Sequence, residues 1–215
     1  ESQFAFIVAE PGVGRRTIFW RRPTGVPPNP GEINYELIRR ARAFHTDGLF
    51  ASSSLTAARA AREAGVQVVV DAGSLRGGML DLARVSDHFL ASETFARDLM
   101  GGDRPLDACH KIAELGPRVV GVTLGRKGYV ALDGCRVIQR PAYSVDTVDT
   151  TGCGDVFHAG YIYGLLKGWE ADKSLDFAAW AAAKVSLELG GRTSIPPLEE
   201  ESSPLHTHDP MKPKS

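Results

Sequence analysis

Asp149-Thr150-Thr151-Gly152-Cys153-Gly154-Asp155 combines a flexible Gly-x-Gly turn with an acid at its end, and an apolar run over residues 156–167 follows it. Phe157, Gly160, Tyr161, Gly164, Leu165 and Gly168 recur in that run at helical spacing. They give a face that is apolar and small enough to lie close against a neighbour. The spacing predicts a helix starting near Gly154. Its first amides, at residues 152 to 155, have no carbonyl one turn back and point outward together at the positive end of the helix dipole. Such a turn is an anion site. Asp155 stands where a carboxylate could accept the proton of a hydroxyl while those amides stabilise a phosphoryl group in transfer. A bare Gly-x-Gly-Asp before a helix is more often only a tight turn with an acidic first helical turn, so the rest of the chain must decide.

The elements that would position this turn are legible upstream. Phe4, Phe6 and Val8 alternate with Ala5, Ile7 and Ala9 at the period of a strand. Turn residues at 10–14 and a second extended run at 16–21 complete a hairpin over about residues 3–21. Its Gly12-Val13-Gly14-Arg15-Arg16-Thr17 stretch lacks the G-x-x-x-x-G-K-[ST] spacing and the following helix of a phosphate-binding loop. A connecting loop with four prolines and two glycines fills residues 22–31. Helices are then expected at 35–44, at 54–64 with a serine cap and Gly65 as its stop, and at 79–85, 93–100 and 106–115. Between them lie short buried strands at 48–52, 66–70, 88–91 and 118–124. This alternation predicts an α/β fold, a doubly wound, mainly parallel sheet flanked by helices, with the hairpin as a small β lid.

After Leu124 the rhythm changes. An antiparallel pair is expected at 129–132 and 136–140 around Asp133-Gly134, then the glycine-rich turn with its helix. A second helix at 175–189 has the small face Leu175, Ala178, Ala182, Val185 and Leu189. Residues 197–215 are polar, proline-bearing and without period, and read as a disordered tail in which His206 and His208 are solvated.

With 215 residues and a net charge of −1, the chain can build one sizeable domain and carries no basic footprint for nucleic acid. It has no apolar run of membrane-spanning length and no signal-peptide pattern at its start. The three cysteines are odd in number, well separated and without metal-ligand spacing, which fits a reduced, cytoplasmic protein. The chain opens on Glu1 already inside a strand-like run, so it reads as one whose beginning is absent.

The heptapeptide resembles the D-T-x-G-A-G-D signature of the ribokinase-like (pfkB) carbohydrate kinases, with Cys153 in place of the usual alanine. Val122-Thr123-Leu124-Gly125-Arg126-Lys127-Gly128 is similar to that family's V-T-L-G-x-x-G segment. The resemblance covers nearly the whole of residues 1–196 and implies a kinase domain that is N-terminally incomplete. It implies Asp155 as catalytic base, with Gly152, Cys153 and Gly154 lining the anion hole. Thr123, Gly125, Gly128 and Thr151 would then lie along the nucleotide. The cofactors implied are ATP and Mg²⁺, together with K⁺ near oxygens of Asp149 and Thr151, a site that the loop at 190–194 completes.

Two departures from the family accompany it. The family's N-x-x-E motif is replaced by Ser92-Glu93-Thr94-Phe95, which leaves Glu93 to reach a divalent ion only through water. Asp71-Ala72-Gly73-Ser74 lacks the expected nearby Asn, an arrangement that resembles ketohexokinase-like branches. The opening strands and most acceptor-binding residues of the family have no counterpart in the chain.

The reaction so implied is transfer of the γ-phosphoryl group of ATP to a hydroxyl of a sugar or sugar-like alcohol. The alternatives are a non-catalytic nucleotide- or sugar-binding regulatory relative, which the altered Ser92–Phe95 stretch favours and Asp155 opposes, and a nucleoside kinase. The hairpin has apolar residues on both faces, while a solvated hairpin should be polar on one. A homodimer through the hairpin is therefore expected.

Overall fold

The hairpin pairs β1 (Phe4–Glu10) with β2 (Arg15–Arg21) antiparallel, in a register that sets Phe6 opposite Phe19 and Ile7 opposite Ile18. The computed structural model describes residues 1–10, 15–195 and 197, so the expected turn after Glu10, the expected tail beyond Pro197, His206 and His208 lie outside the described residues. The chain divides into two compact units, Pro27–Pro141 and, separately, Glu1–Val26 with the residues from Ala142 onward.

The Pro27–Pro141 unit is built on one sheet, in the order β3 (Ala43–Thr46), β4 (Gln67–Ala72), β5 (His88–Ser92), β6 (Val119–Thr123), β7 (Tyr129–Asp133) and β8 (Arg136–Arg140). β3 to β6 run parallel, whereas β7 and β8 turn back antiparallel. Parallel neighbours need crossover connections, and α2 (Ala51–Glu63), α3 (Met79–Arg84), α4 (Glu93–Met100) and α5 (Pro105–Ala113) supply them, after the short α1 (Tyr35–Arg39). Val68, Val70, Ala72, Phe89, Ala91, Val120 and Val122 alternate along the strands to form one face of a core. Ala58, Ala61, Leu82, Phe95, Cys109 and Ile112 of the helices close over that face. Residues of the opposite face, such as Val69, Leu90 and Val119, are buried as well, which is why these strands read as continuous apolar runs.

Three expected elements move, one of them the helix expected at 175–189, which runs over Ala171–Val185 and leaves Leu189 beyond its end and exposed. The helix expected at 35–44 stops at Arg39, and the strand expected at 48–52 lies earlier, at Ala43–Thr46. Gly48 has a left-handed φ of +69°, and a Cβ there would sit 2.7 Å from Met79 Sδ and 2.8 Å from Leu82 Cδ1, so it forms a packed turn where a strand could not continue. α2 consequently begins at Ala51, behind Phe50, with no side-chain cap. Short apolar runs do not separate strand from helix by periodicity alone.

In the other unit, α6 (Cys153–Leu166) packs along α7 (Ala171–Val185). The small face pattern explains how closely. A Cβ on Gly160 would lie 2.9 Å from Ala178 Cα, and one on Gly164 would lie 2.6 Å from Ser174 Oγ and 2.9 Å from its Cα. Backbone cannot yield as a side chain can. Gly164→Ala is therefore expected to destabilise the protein by about 1–3 kcal/mol, the usual scale of overpacking. Thermal unfolding will check this, and an unchanged melting temperature would show that the helix pair has slack.

Candidate active site

Gly152 is the N-cap of α6 and takes a left-handed φ of +76°, so the chain turns sharply from Thr151 into the helix. Conformation is only half of its role. A Cβ at Gly152 would lie 2.7 Å from both Cα and the carbonyl oxygen of Gly191. One at Gly191 would in turn meet Gly152 Cα at 3.2 Å and the Thr151 carbonyl oxygen at 3.3 Å. Two glycines thus press backbone to backbone and fix the 149–155 turn against the 190–194 loop.

Asp149 completes the brace. It is buried, and its Oδ1 accepts from Thr151 N (2.8 Å) and Thr151 Oγ1 (2.7 Å), while Oδ2 accepts from Gly190 N (3.0 Å). Burial works against its ionisation. The bonds from Gly190 and Thr151, together with the charge of Arg16, outweigh it and hold the carboxyl below the usual carboxylate range. The side chain of Asp149 is thereby committed to holding the turn, which leaves its main-chain oxygen for any cation.

The helix's first ladder bond runs from Val156 N to Gly152 O (2.8 Å). Cys153 N donates to Thr150 O at 3.3 Å, closing the turn, whereas the amides of Gly152, Gly154 and Asp155 have no acceptor among the described residues. Gly154 and Asp155 are exposed, and a Cβ built on Gly154 would meet nothing within 4 Å. No packing requirement therefore calls for glycine at position 154, and the space above it is open for a ligand. The Cys153 side chain turns the other way and packs with Val156, Ala181 and Val185. Burial pushes its thiol up to about 11, so it is neutral at physiological pH. The arrangement offers an anion two outward amides of the helix terminus and the Gly152 amide beside them, with a carboxylate adjacent.

Arg16 of β2 adds a feature that sequence reading missed. Its guanidinium donates to Thr150 Oγ1 (2.6 Å) and to the Thr150 carbonyl oxygen (3.0 Å), which brings a fixed positive charge to the rim of the turn. Nothing in the alternation of β2 distinguishes this arginine from its neighbours. Only the fold selects it.

In the Pro27–Pro141 unit, the carboxyl ends of β5 and β6 lie side by side, Ser92 opposite Thr123. The edge formed by the carboxyl ends of parallel strands is where open α/β sheets take ligands. Thr123 donates its hydroxyl to Ala91 O (3.3 Å). The following turn over Gly125–Lys127 closes through Leu124 N to Gly128 O (2.8 Å) and Gly128 N to Gly125 O (3.0 Å). Ser92, in the place of the family's Asn, caps α4 by accepting from Phe95 N (3.0 Å) and donates to Gly73 O (2.8 Å). Glu93 receives Lys127 Nζ at 2.8 Å and Arg97 at 3.6 Å, and this hydrogen bond raises the Lys127 pKa above its ordinary value. Glu93 thus answers two cations, and among the described residues no group of three or more His, Cys, Asp or Glu could hold a metal ion.

The family model for pfkB carbohydrate kinases matches residues 2–198. The chain belongs to the pfkB carbohydrate kinase family. It is 32% identical over 108 residues to an ATP-dependent 6-phosphofructokinase of Thermoanaerobacterium thermosaccharolyticum, covering 50% of this chain and 34% of that relative. A crystal structure of a probable sugar kinase from Rhizobium etli superposes with a TM-score of 0.80 at 25% identity, over 90% of this chain and 63% of that one. The Arabidopsis thaliana ribokinase, solved with ribose and ATP, gives a TM-score of 0.67 at 25% identity, over 85% of this chain and 62% of that one. This pfkB chain therefore spans about one third to three fifths of the length of the curated relatives it matches. Among the described residues, no helix is long and apolar enough to cross a membrane.

Proposed function

We propose that this chain carries the nucleotide-binding and catalytic portion of a kinase that transfers the γ-phosphoryl group of ATP to a hydroxyl of a sugar or sugar-like alcohol. The observation that carries the reading is the joint presence of open amides at Gly152, Gly154 and Asp155 and a free-standing carboxylate on Asp155. The amides of this hole, with that of Cys153 closing the turn behind them, would bind the migrating phosphoryl oxygens. Asp155 would take the hydroxyl proton late in the transfer. Bound ATP would supply the phosphoryl group, and Mg²⁺ would neutralise the charge developing on its phosphates.

Thr123 and the turn from Gly125 to Gly128 would lie along the donor, at the edge where such ligands bind, and Thr151 would stand beside its phosphates. Glu93, already paired with Lys127, suits no direct divalent ligation, so the magnesium would be held by phosphate and water. A monovalent cation such as K⁺ has better support. Ser194 Oγ is buried and has no partner among the described residues, in the loop that packs on Thr151 and Gly152. That hydroxyl and the carbonyls of Asp149 and Thr151 suit such an ion.

Purified intact protein, supplied with ATP and a panel of sugars and nucleosides, should form ADP only when an acceptor is present. Absent ADP release across the panel would sink the reading in favour of a binding-only relative, and acceptor-independent release would sink it in favour of simple ATP hydrolysis. The same panel separates a sugar from a nucleoside acceptor. A cytoplasmic setting suits a kinase drawing on the ATP pool.

The hairpin carries the proposed partner, a second copy of the chain. Phe4, Phe6, Val8 and Phe19 share one face of β1–β2 and are 61%, 58%, 43% and 60% exposed. Arg16 lies on the opposite face, the one that reaches the 149–155 turn. Burying each large apolar side chain stabilises an assembly by roughly 1.5–3 kcal/mol. Phe6→Glu and Phe19→Glu should each shift the sedimenting species toward monomer. A parent that already sediments as a monomer, or variants that leave a dimer intact, would remove the hairpin interface.

A further inference from the structure

His158 is a buried polar side chain of α6 for which the phosphotransfer reading has so far given no role. It lies three residues beyond Asp155 and is only 5% exposed. Its Nδ1 stands 2.7 Å from the carbonyl oxygen of Gly154. A carbonyl can only accept, so Nδ1 carries the proton and donates it.

The Gly154 carbonyl and the Asp155 N–H are the two ends of one planar peptide unit. Whatever holds the oxygen also fixes the rotation of that plane, and with it the direction of the Asp155 amide. That amide is one of those with no acceptor among the described residues. A short hydrogen bond at the oxygen also polarises the peptide, which makes the N–H at its other end a stronger donor. The need for such a restraint is local. Gly154 lies within α6 but has no side chain to narrow its dihedrals or to pack, so the Nδ1 bond is an added restraint on this peptide.

We propose that His158 is a positioning residue of the anion hole: by donating Nδ1–H to Gly154 O, it aims and strengthens the Asp155 amide toward the phosphoryl oxygens. The consequence for turnover rests on the phosphotransfer reading; the control of the amide does not. A histidine that merely fills the helix interior would behave differently under substitution. His158→Leu fills space without a donor, whereas His158→Asn places an amide N–H at about the distance of Nδ1 from Cβ.

The test compares the two variants in the intact protein by the ¹⁵N–¹H resonance of the Asp155 amide and by steady-state kinetics. His158→Leu should move the Asp155 resonance and lower kcat about 10-fold, less than the ~10²–10³-fold that outright loss of a hole donor costs, with KM for ATP changed less than about twofold. His158→Asn should bring the resonance and kcat most of the way back. Equal losses in both variants, or an Asp155 resonance unmoved by His158→Leu, would overturn the proposal. If His158→Leu does not fold, His158→Ala makes the same comparison with His158→Asn. A parent protein without phosphotransfer would defeat the kinase reading alone, because the resonance would still decide whether His158 governs the amide.

Discussion

Asp155→Asn is expected to lower phosphotransfer by at least about 10²-fold, the scale of a positioned general base, while KM for ATP stays close to that of the parent. The substitution keeps the side chain's size and its place in the first turn of α6, and it leaves the helix amides untouched. What it removes is the ability to take a proton. Asp155 is exposed and makes no ion pair among the described residues, so its loss should not unfold the turn, and the melting temperature should move by no more than a degree or two. Steady-state kinetics with thermal unfolding on the same sample will check both halves. Near-normal turnover in this variant would take Asp155 out of the mechanism.

The two glycines of the turn should differ in stability under the same added methyl group, although both should lose turnover. At Gly152 a Cβ meets the backbone of Gly191 at 2.7 Å, in a left-handed conformation that disfavours any side chain. Strain and collision together should cost about 2–5 kcal/mol, and the turn that aims the amides would shift with them. Gly152→Ala should therefore lose stability and about 10³-fold in turnover at once, consistent with misplacing more than one hole donor. At Gly154 the methyl group enters open space, so Gly154→Ala should melt with the parent. Its turnover should nevertheless fall by ~10-fold or more, because the methyl group occupies the ground where a ligand would approach the amides. Equal activity of Gly154→Ala and parent would show that the ligand does not approach from that side.

The turn proposed to carry the chemistry was legible in the chain because its geometry depends on local backbone. A Gly-x-Gly turn followed by an acid and a small-faced helix specifies outward amides with little help from elsewhere, and the structure begins α6 at Cys153, one residue from where the pattern put it. The parallel sheet was legible for a similar reason, since strands buried on both faces must be apolar throughout. The small face of α6 likewise announced a close neighbour, and Gly160 and Gly164 meet α7 at distances that leave no room for a Cβ.

The tertiary structure decided what rests on contacts between distant residues. Gly191 is required by Gly152, Arg16 is singled out by Thr150, and Glu93 is committed to Lys127, yet none of these pairings leaves a periodic trace in its own segment. The position of β3 escaped the sequence because the run at 43–46 is short and carries His45 and Thr46, while the more apolar run at 48–52 lies beside it, and only the packing of Gly48 against Met79 and Leu82 excludes a strand there. His158 was hidden by the same rule. Its helical position was plain, but the direction of Nδ1 depends on a rotamer, and rotamers are set by what surrounds the side chain in the folded protein.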